Sequence, residues 1–437
     1  MKDLSLFQVI VLTVSGLLLV IGVIVFATRG GSSRSGAAIG KVVIWGTLDS
    51  GAMDNILSTA RQTDHSLDQV SYVEKSPATY EKDLINAIAA GTPPDLFVLP
   101  QDDLGQFIDK IQLIPYSTIS KNSFDSSFVD ESQLYAQQNG LIALPLMVDP
   151  LVMYINRDIF ATGGIATDPV HWSDVLADTP HLTALSGNTV SRSAVAFGLW
   201  QNVTNAKEIF SMLVMQAGDP IVVQKNWVPQ PVLGANQSGA VENPAEAALR
   251  FYTDFANPSK SVYSWNRAQP DSRDAFTAGE LAMYFGFASE YQTLLSTNPN
   301  LNMSVAMMPQ VDGTSVSTTY GNLIGLAVSR NTGNASGAIA VANALTGSAD
   351  AQLFSSAFHL PSARRDLLAS APANDPIQLV FMRSALIARG FYDPDPQGTD
   401  DTFRSMVESV VSGSQTPSDA VIMGGQRFAK LFPLPQQ

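Results

Sequence analysis

The stretch YEKDLINAIAAGTPPDLFVLP, Tyr80 to Pro100, decides the fold class. Tyr80, Leu84, Ile85 and Ile88 recur at helical spacing and form one apolar face. Gly91 is a natural C-terminal stop, and Pro93-Pro94 prevents the helix from continuing. Leu96 to Leu99 is then apolar throughout, as in a strand buried on both faces. Just upstream, KVVIWG (Lys41 to Gly46) has the same character: a short apolar run closed by glycine, too short for a helix. Apolar strands on both sides of a helix predict a parallel sheet covered on two faces, and hence an α/β protein.

The pattern recurs outward from this unit. HWSDVL, starting at His171, predicts a helix with Ser173 as N-cap, and NPAEAALRFYTDFANP, Asn243 to Pro258, a helix bracketed by prolines. GNLIGLAVS (Gly321 to Ser329) predicts a buried strand, and ASGAIAVANALTG (Ala335 to Gly347) a small-residue helix able to approach a sheet closely. No repeat of solenoid period is present. After the Gly/Ser-rich linker TRGGSSRSGAAIG (Thr28 to Gly40), no low-complexity boundary cuts the chain. Two lobes sharing several crossovers fit that continuity better than consecutive domains.

The 437 residues suffice for two or three domains, and 45% of them are hydrophobic, so disorder is not the default. A net charge of −14 argues against nucleic-acid phosphates and anionic lipid as partners. The absence of cysteine excludes disulfides, thiolate metal sites, a thiol nucleophile and a lipid-modified cysteine tether. Leu4 to Ala27 is uncharged and long enough to cross a bilayer of ~30 Å. It exceeds the ~7–15 apolar residues of a signal peptide, and only Lys2 supplies positive charge before it. Residues 1–27 are therefore expected to be an uncleaved membrane anchor and 28–40 a linker. Arg29, Arg34 and Lys41 would by charge alone keep the following domain inside, but long domains translocate largely regardless of flanking charge.

Common catalytic signatures are missing: there is no G-x-S-x-G, H-E-x-x-H, P-loop or G-x-G-x-x-G sequence. His65, His171, His181 and His359 are scattered, so neither a metal nor a cofactor is expected on them. What remains is a set of carboxylates at strand ends. Ligands of open α/β sheets bind beyond the C-terminal ends of the strands, where Asp49, Asp102 and Asp149 fall. Carboxylates that accept paired hydrogen bonds, beside aromatic rings, suit a polar ring such as a sugar. Asp49 and Asp102 are equally readable as helix N-caps or turn residues. A third reading pairs two of these acids in a glycan hydrolase, which would need carboxyls ~5–5.5 Å or ~6.5–9.5 Å apart.

Several segments in order carry a family resemblance. YEKDLINAIAAGTPPDLFVL, GLIALPLMVDPLVMYINRDIFATGGIATDPVHWSDVL (Gly140 to Leu176) and AFTAGELAMYFGFASEY (Ala275 to Tyr291) are followed by the tract from Tyr320 to Leu368 and by VVSGSQTPSDAVIMGGQRFAKLF (Val410 to Phe432). Together they resemble the extracellular solute-binding proteins of family 1, carbohydrate-type receptors that feed ABC importers. The resemblance runs from Lys41 to about Phe432. It implies an α/β, two-lobed periplasmic-binding-protein-like fold (type II) with a multi-strand hinge. Lobe 1 would comprise 41–145 and 309–347, and lobe 2 146–308 and 348–437.

The implied function is non-enzymatic: a monomer, held outside the cytoplasm by its N-terminal helix, closes over a small solute, a sugar or oligosaccharide, and passes it to an ABC transporter permease. A surface sensor or adhesin on the same fold is the alternative. Asp49, Asp102 and Asp149 fall on acidic contacts of maltodextrin-type members, and Phe287 falls where the family has a stacking tryptophan. Trp200 and Gln201 lie in the second lobe's contact segment, and Asp400 and Arg404 in the late helical segment that closes the cleft. Two departures, Leu99 at an otherwise aromatic position and Phe287 in place of tryptophan, weaken the case for a long maltodextrin. The resemblance also places Leu144 to Phe160 at the first hinge crossing, where ligand or cleft water would satisfy Asp149.

Overall fold

The computed structural model describes residues 39–187, 189–235, 242–370 and 374–432. The expected anchor, 1–27, and most of the linker lie outside the described residues; among those described, no helix is long and apolar enough to cross a membrane. In chain order the first elements are β1 (Val42–Gly46), α1 (Ser50–Thr63), β2 (Val70–Glu74), α2 (Tyr80–Ala89) and β3 (Leu96–Pro100). β1 pairs in parallel with both β2 and β3, as the opening stretch predicts. α2 ends where expected, with Gly91 at φ +73°, a conformation that glycine adopts without a Cβ penalty.

The stretch containing Asp149 forms a single strand, β4 (Ala143–Asn156), fourteen residues long and buried throughout. After it come α3 (Trp172–Leu182), β5 (Ala184–Ser186), β6 (Thr189–Val195), α4 (Ala206–Gln216), α5 (Pro244–Asp254), β7 (Leu281–Phe287), β8 (Met303–Ala306) and β9 (Thr319–Val328). The chain closes with α6 (Ala335–Leu345), α7 (Ser348–Phe358), α8 (Pro376–Leu386), β10 (Ala388–Arg389), α9 (Pro396–Val411) and α10 (Pro417–Ala429).

One continuous sheet joins the two lobes in the order β2-β1-β3-β9-β4-β7-β6-β5, with β8 pairing β4 and β10 pairing β9. β4 serves both lobes. Its first part, to Pro150, pairs antiparallel with β9, and from Leu151 it pairs with β7. Two prolines explain where the pairing breaks. Pro150 has no N–H to give a ladder and stands at the change of partner. Pro145 stands at a register shift opposite Ile324 and Gly325. Next to it, Leu146 accepts from Ala363 N at 3.1 Å and Val148 donates to Pro361 O at 2.9 Å, so the tract after α7 takes over the freed edge.

Helices cover both faces. α6 packs on β9 and β1, and α7 on α1 and β4. Residues 348–358 thus lie against the first lobe, whereas the boundary read from sequence assigns them to the second. The tight Thr346–Gly347 turn keeps α7 beside α6, and a small-residue sequence carries no signal of which lobe it faces. In the second lobe, α4, α5, α9 and α10 pack together. Its core is aromatic: Trp172 lies 5.4 Å from Phe251 and 6.0 Å from Phe197 between ring centroids. Ser173 is not the cap of α3. His171 occupies that position, and the Asp174 carboxylate reaches back to accept from His171 N (2.9 Å) and Val170 N (3.0 Å), while the Ser173 hydroxyl donates to Asp312.

Candidate functional site

The crossing of β4 places Asp149 opposite Asn322 of β9, between the lobes. Asp149 is only 8% exposed. Its carboxylate accepts from Ser289 N at 3.0 Å, at the turn that follows β7. Burial pushes its pKa up to about 7, opposed by the Ser289 hydrogen bonds and reinforced by Glu290. The chain's own N–H therefore satisfies this acid, where sequence reasoning left it to ligand or water. Phe287 packs edge-on against Tyr320 at 6.4 Å, and Tyr320 against Phe391 at 6.5 Å. These rings line the base of the crossing, and Phe287 is itself 8% exposed. Leu99 is fully buried, its carbonyl accepting from the Tyr135 hydroxyl.

Asp102 lies in a short 3-10 turn, Gln101–Asp103, that caps the C-terminal end of β3. Its side chain is partly exposed, and it faces a lysine the sequence did not single out. Lys207, in the first turn of α4, has its Nζ 3.9 Å from Asp102 Oδ2 and 3.1 Å from Asp393 Oδ2. Asp393 is buried, and its other oxygen accepts from the Thr399 hydroxyl at 2.7 Å. Burial works against the charge on Lys207, but Asp102, Asp393 and Glu208 outweigh it and hold the ammonium above its ordinary pKa. Burial also pushes Glu208 up to about 7, with Lys207 opposing and Asp102 and Asp400 adding to the shift.

Trp200 and Asp400, two hundred residues apart, meet: the indole Nε1 donates to Asp400 Oδ1 at 3.1 Å. Beside them, Gln201, Asn202, Arg267 and Glu408 line a small cavity with Trp200. Gln201 is exposed there, while Asn202 bonds to Asn266, Gln269 and Trp265 and holds the loop. Glu208 connects this corner electrostatically to Asp102 and Lys207.

Two candidates are held by local partners instead. Asp49 is exposed and caps α1, accepting from Ala52 N at 2.8 Å, the alternative reading of that residue. Arg404 pairs with Asp401, three residues earlier on α9. Trp45 is partly buried under the Lys75 ammonium, 3.7 Å from its ring centroid. Lys207 escaped the sequence reading because a lone lysine in TNAKEIF resembles an ordinary solvated helix residue. Its signal, an otherwise buried first turn, exists only once α4 is seen packed.

Carboxylates, one ammonium, amide groups and ring edges make a hydrogen-bonding surface. Among the described residues, no group of three or more acidic or histidine side chains is arranged to hold a metal ion. The pattern of the bacterial extracellular solute-binding protein family matches residues 61–379. A Brucella abortus chain, named only as a candidate binding protein, is 24% identical over 239 residues, 54% of this chain and 54% of its own. This chain thus matches about half the length of its curated relatives. Among solved structures, a cyclo/maltodextrin-binding protein complexed with maltotetraose superposes with a TM-score of 0.73 at 16% identity, covering 93% of this chain and all of that one. A cyclic α-maltosyl-1,6-maltose binding protein from Arthrobacter globiformis also gives 0.73, at 14% identity and covering 90% and 98%. These likenesses establish the two-lobed, periplasmic-binding-protein-like α/β fold, and the family's description is of binding proteins rather than enzymes.

Proposed function

The chain belongs to the bacterial extracellular solute-binding protein family, and from that premise we propose that it captures a neutral sugar or oligosaccharide between its lobes and delivers it to the permease of an ABC importer. The observation that carries this reading is the polar floor between the lobes, where Asp102 of the first lobe meets Lys207 of the second beside Trp200 and Asp400. Solved structures of the same fold hold maltotetraose and mannotriose, which supports a carbohydrate. Asp102, Trp200, Gln201 and Asp400 contact the solute in this reading. Asp149 and Phe287 shape the hinge beneath it, and Asp49 and Arg404 stand at the rim.

Closure follows from differential binding: a solute that touches both lobes binds the closed form better and shifts the population toward it. Leu4 to Ala27 serves as an uncleaved anchor, and the protein works as a monomer outside the cytoplasm. A thermal-shift screen over neutral sugars, polyols and oligosaccharides tests the central part. A solute at about 100 times its Kd adds ~2.7 kcal/mol of stability, whereas silence across the panel contradicts the reading. Retention of the chain in membranes after alkaline extraction, lost on deleting residues 1–27, tests the anchor.

A further inference from the structure

We propose that Lys207 is a specificity-determining residue of this receptor: its bridge from Asp393 across to Asp102 ties the lobes together and selects a neutral solute bearing adjacent hydroxyls. The solute class rests on the receptor reading above, while the tie between the lobes does not.

Lys207 is 7% exposed and Asp393 2%, so each would be an uncompensated buried charge without the other. Asp393 is fixed from two sides, its Oδ1 accepting from the Thr399 hydroxyl and from Asp395 N. It belongs to the strap between β10 and α9, and that strap is pressed onto the first lobe. A Cβ on Gly105 would stand 2.6 Å from Pro394 Cα, and one on Gly390 2.7 Å from Gln101 Nε2. Both glycines are therefore required by close approach. Strap, α4 and the turn after β3 converge at one point, and the Lys207 ammonium sits there.

The distances then separate two roles. At 3.1 Å, Asp393 is the structural partner. At 3.9 Å, Asp102 is too far for a direct hydrogen bond, and its side chain is 37% exposed. An ammonium has three donors and a carboxylate only acceptors. Two neighbouring hydroxyls complement that pair: one donates to Asp102, and the other accepts from Lys207. An anionic solute would meet four carboxyl groups, Asp102, Glu208, Asp393 and Asp400, with the Lys207 ammonium and the Arg267 guanidinium as the neighbouring cations. A cationic solute would meet the Lys207 ammonium, which Asp102, Asp393 and Glu208 keep charged.

The chain contains no cysteine, so labels can be placed at will. The full chain carrying Lys82→Cys and Lys225→Cys, one exposed site in each lobe, is spin-labelled and the inter-label distance distribution is recorded without solute. Asp102→Asn, and the paired change Lys207→Met with Asp393→Asn, which removes the buried ion pair without stranding a charge, should each move the distribution to longer and broader distances. Unchanged distributions in both overturn the bridge, whatever solute is bound. In a second arm, maltotetraose, glucosamine and glucuronate are titrated as probes. Loss of neutral-sugar binding by tenfold or more in the paired variant, with a relative gain for glucosamine, is expected. Equal sugar affinity in parent and paired variant overturns the specificity role. If no probe binds the parent, the receptor reading fails, while the label distances still decide the bridge.

Discussion

Two regions of this molecule bury carboxylates, and they neutralise them by different means. On the cleft floor, Asp102, Asp393 and Glu208 surround Lys207, so charge is met by charge. At the hinge no lysine is present among the groups that surround the acids. Asp149 leans on a backbone N–H, and Glu131 is 2% exposed with neither carboxyl oxygen hydrogen-bonded among the described residues. Burial pushes Glu131 up to about 8, with Arg389 opposing and Asp149 adding to the shift. Arg389 is itself engaged by Asp130. Burial therefore raises the acids in both regions, opposed on the floor by a buried ammonium and at the hinge by backbone hydrogen bonds and one arginine. The first arrangement suits a surface that must hydrogen-bond a solute, and the second a strand crossing that must stay packed as the lobes move.

The largest expected effect breaks the paired region. Lys207→Met alone leaves Asp393 buried without its counter-charge and should cost ~3–5 kcal/mol, read by urea unfolding. Recovery of most of that loss by adding Asp393→Asn would confirm the cause; no recovery would mean that lost shape, not lost charge, dominates.

The hinge gives the next effect, with a definite sign in pH. The folded pKa of Glu131 lies above its unfolded value, so its contribution is fully present below about 4.5 and is lost as pH rises through about 8. Glu131→Gln cannot ionise, so its stability at pH 8.5 should exceed the parent's by ~2–4 kcal/mol, with little difference near pH 4.5. Parallel stability curves for parent and variant across this range would show that Glu131 does not titrate in the folded protein.

Asp149→Asn keeps an oxygen to accept from Ser289 and removes a group whose pKa is raised from 3.8 to about 7. Its effect should be somewhat smaller, ~2–3 kcal/mol in the same stability curves, opening between about pH 4 and 7, where the parent loses this contribution, and persisting above that range. Arg404→Ala touches neither region. Its exposed pair with Asp401 predicts a change under ~0.5 kcal/mol, and a larger one would show that α9 contributes more to the floor than its contacts indicate.

Much of this was legible in the sequence, for physical reasons that also mark where reading stops. Uniformly apolar strands around an amphipathic helix can only be a covered parallel sheet, so Tyr80 to Pro100 fixed the class. The run around Asp149 read locally as a core strand with an awkward acid beside Pro150, and only the family resemblance placed it at a crossing. Partnerships between distant residues were not legible. Nothing local in TNAKEIF points to Asp393, and nothing in Trp200 points to Asp400. Local competition also misled: Asp174 reaching back one turn displaced Ser173 as the capping group. For Asp49, the capping alternative describes the contact that forms, and its part in solute binding rests on the proposal alone.

The most direct test of the account is a calorimetric titration of the full chain and its Asp102→Asn variant with maltotetraose and the wider panel of neutral oligosaccharides. The account predicts one-to-one binding of a neutral oligosaccharide, weakened at least tenfold in the variant, or by ~1.4 kcal/mol. A protein that binds no neutral carbohydrate, or one whose sugar affinity is untouched by Asp102→Asn, would contradict it.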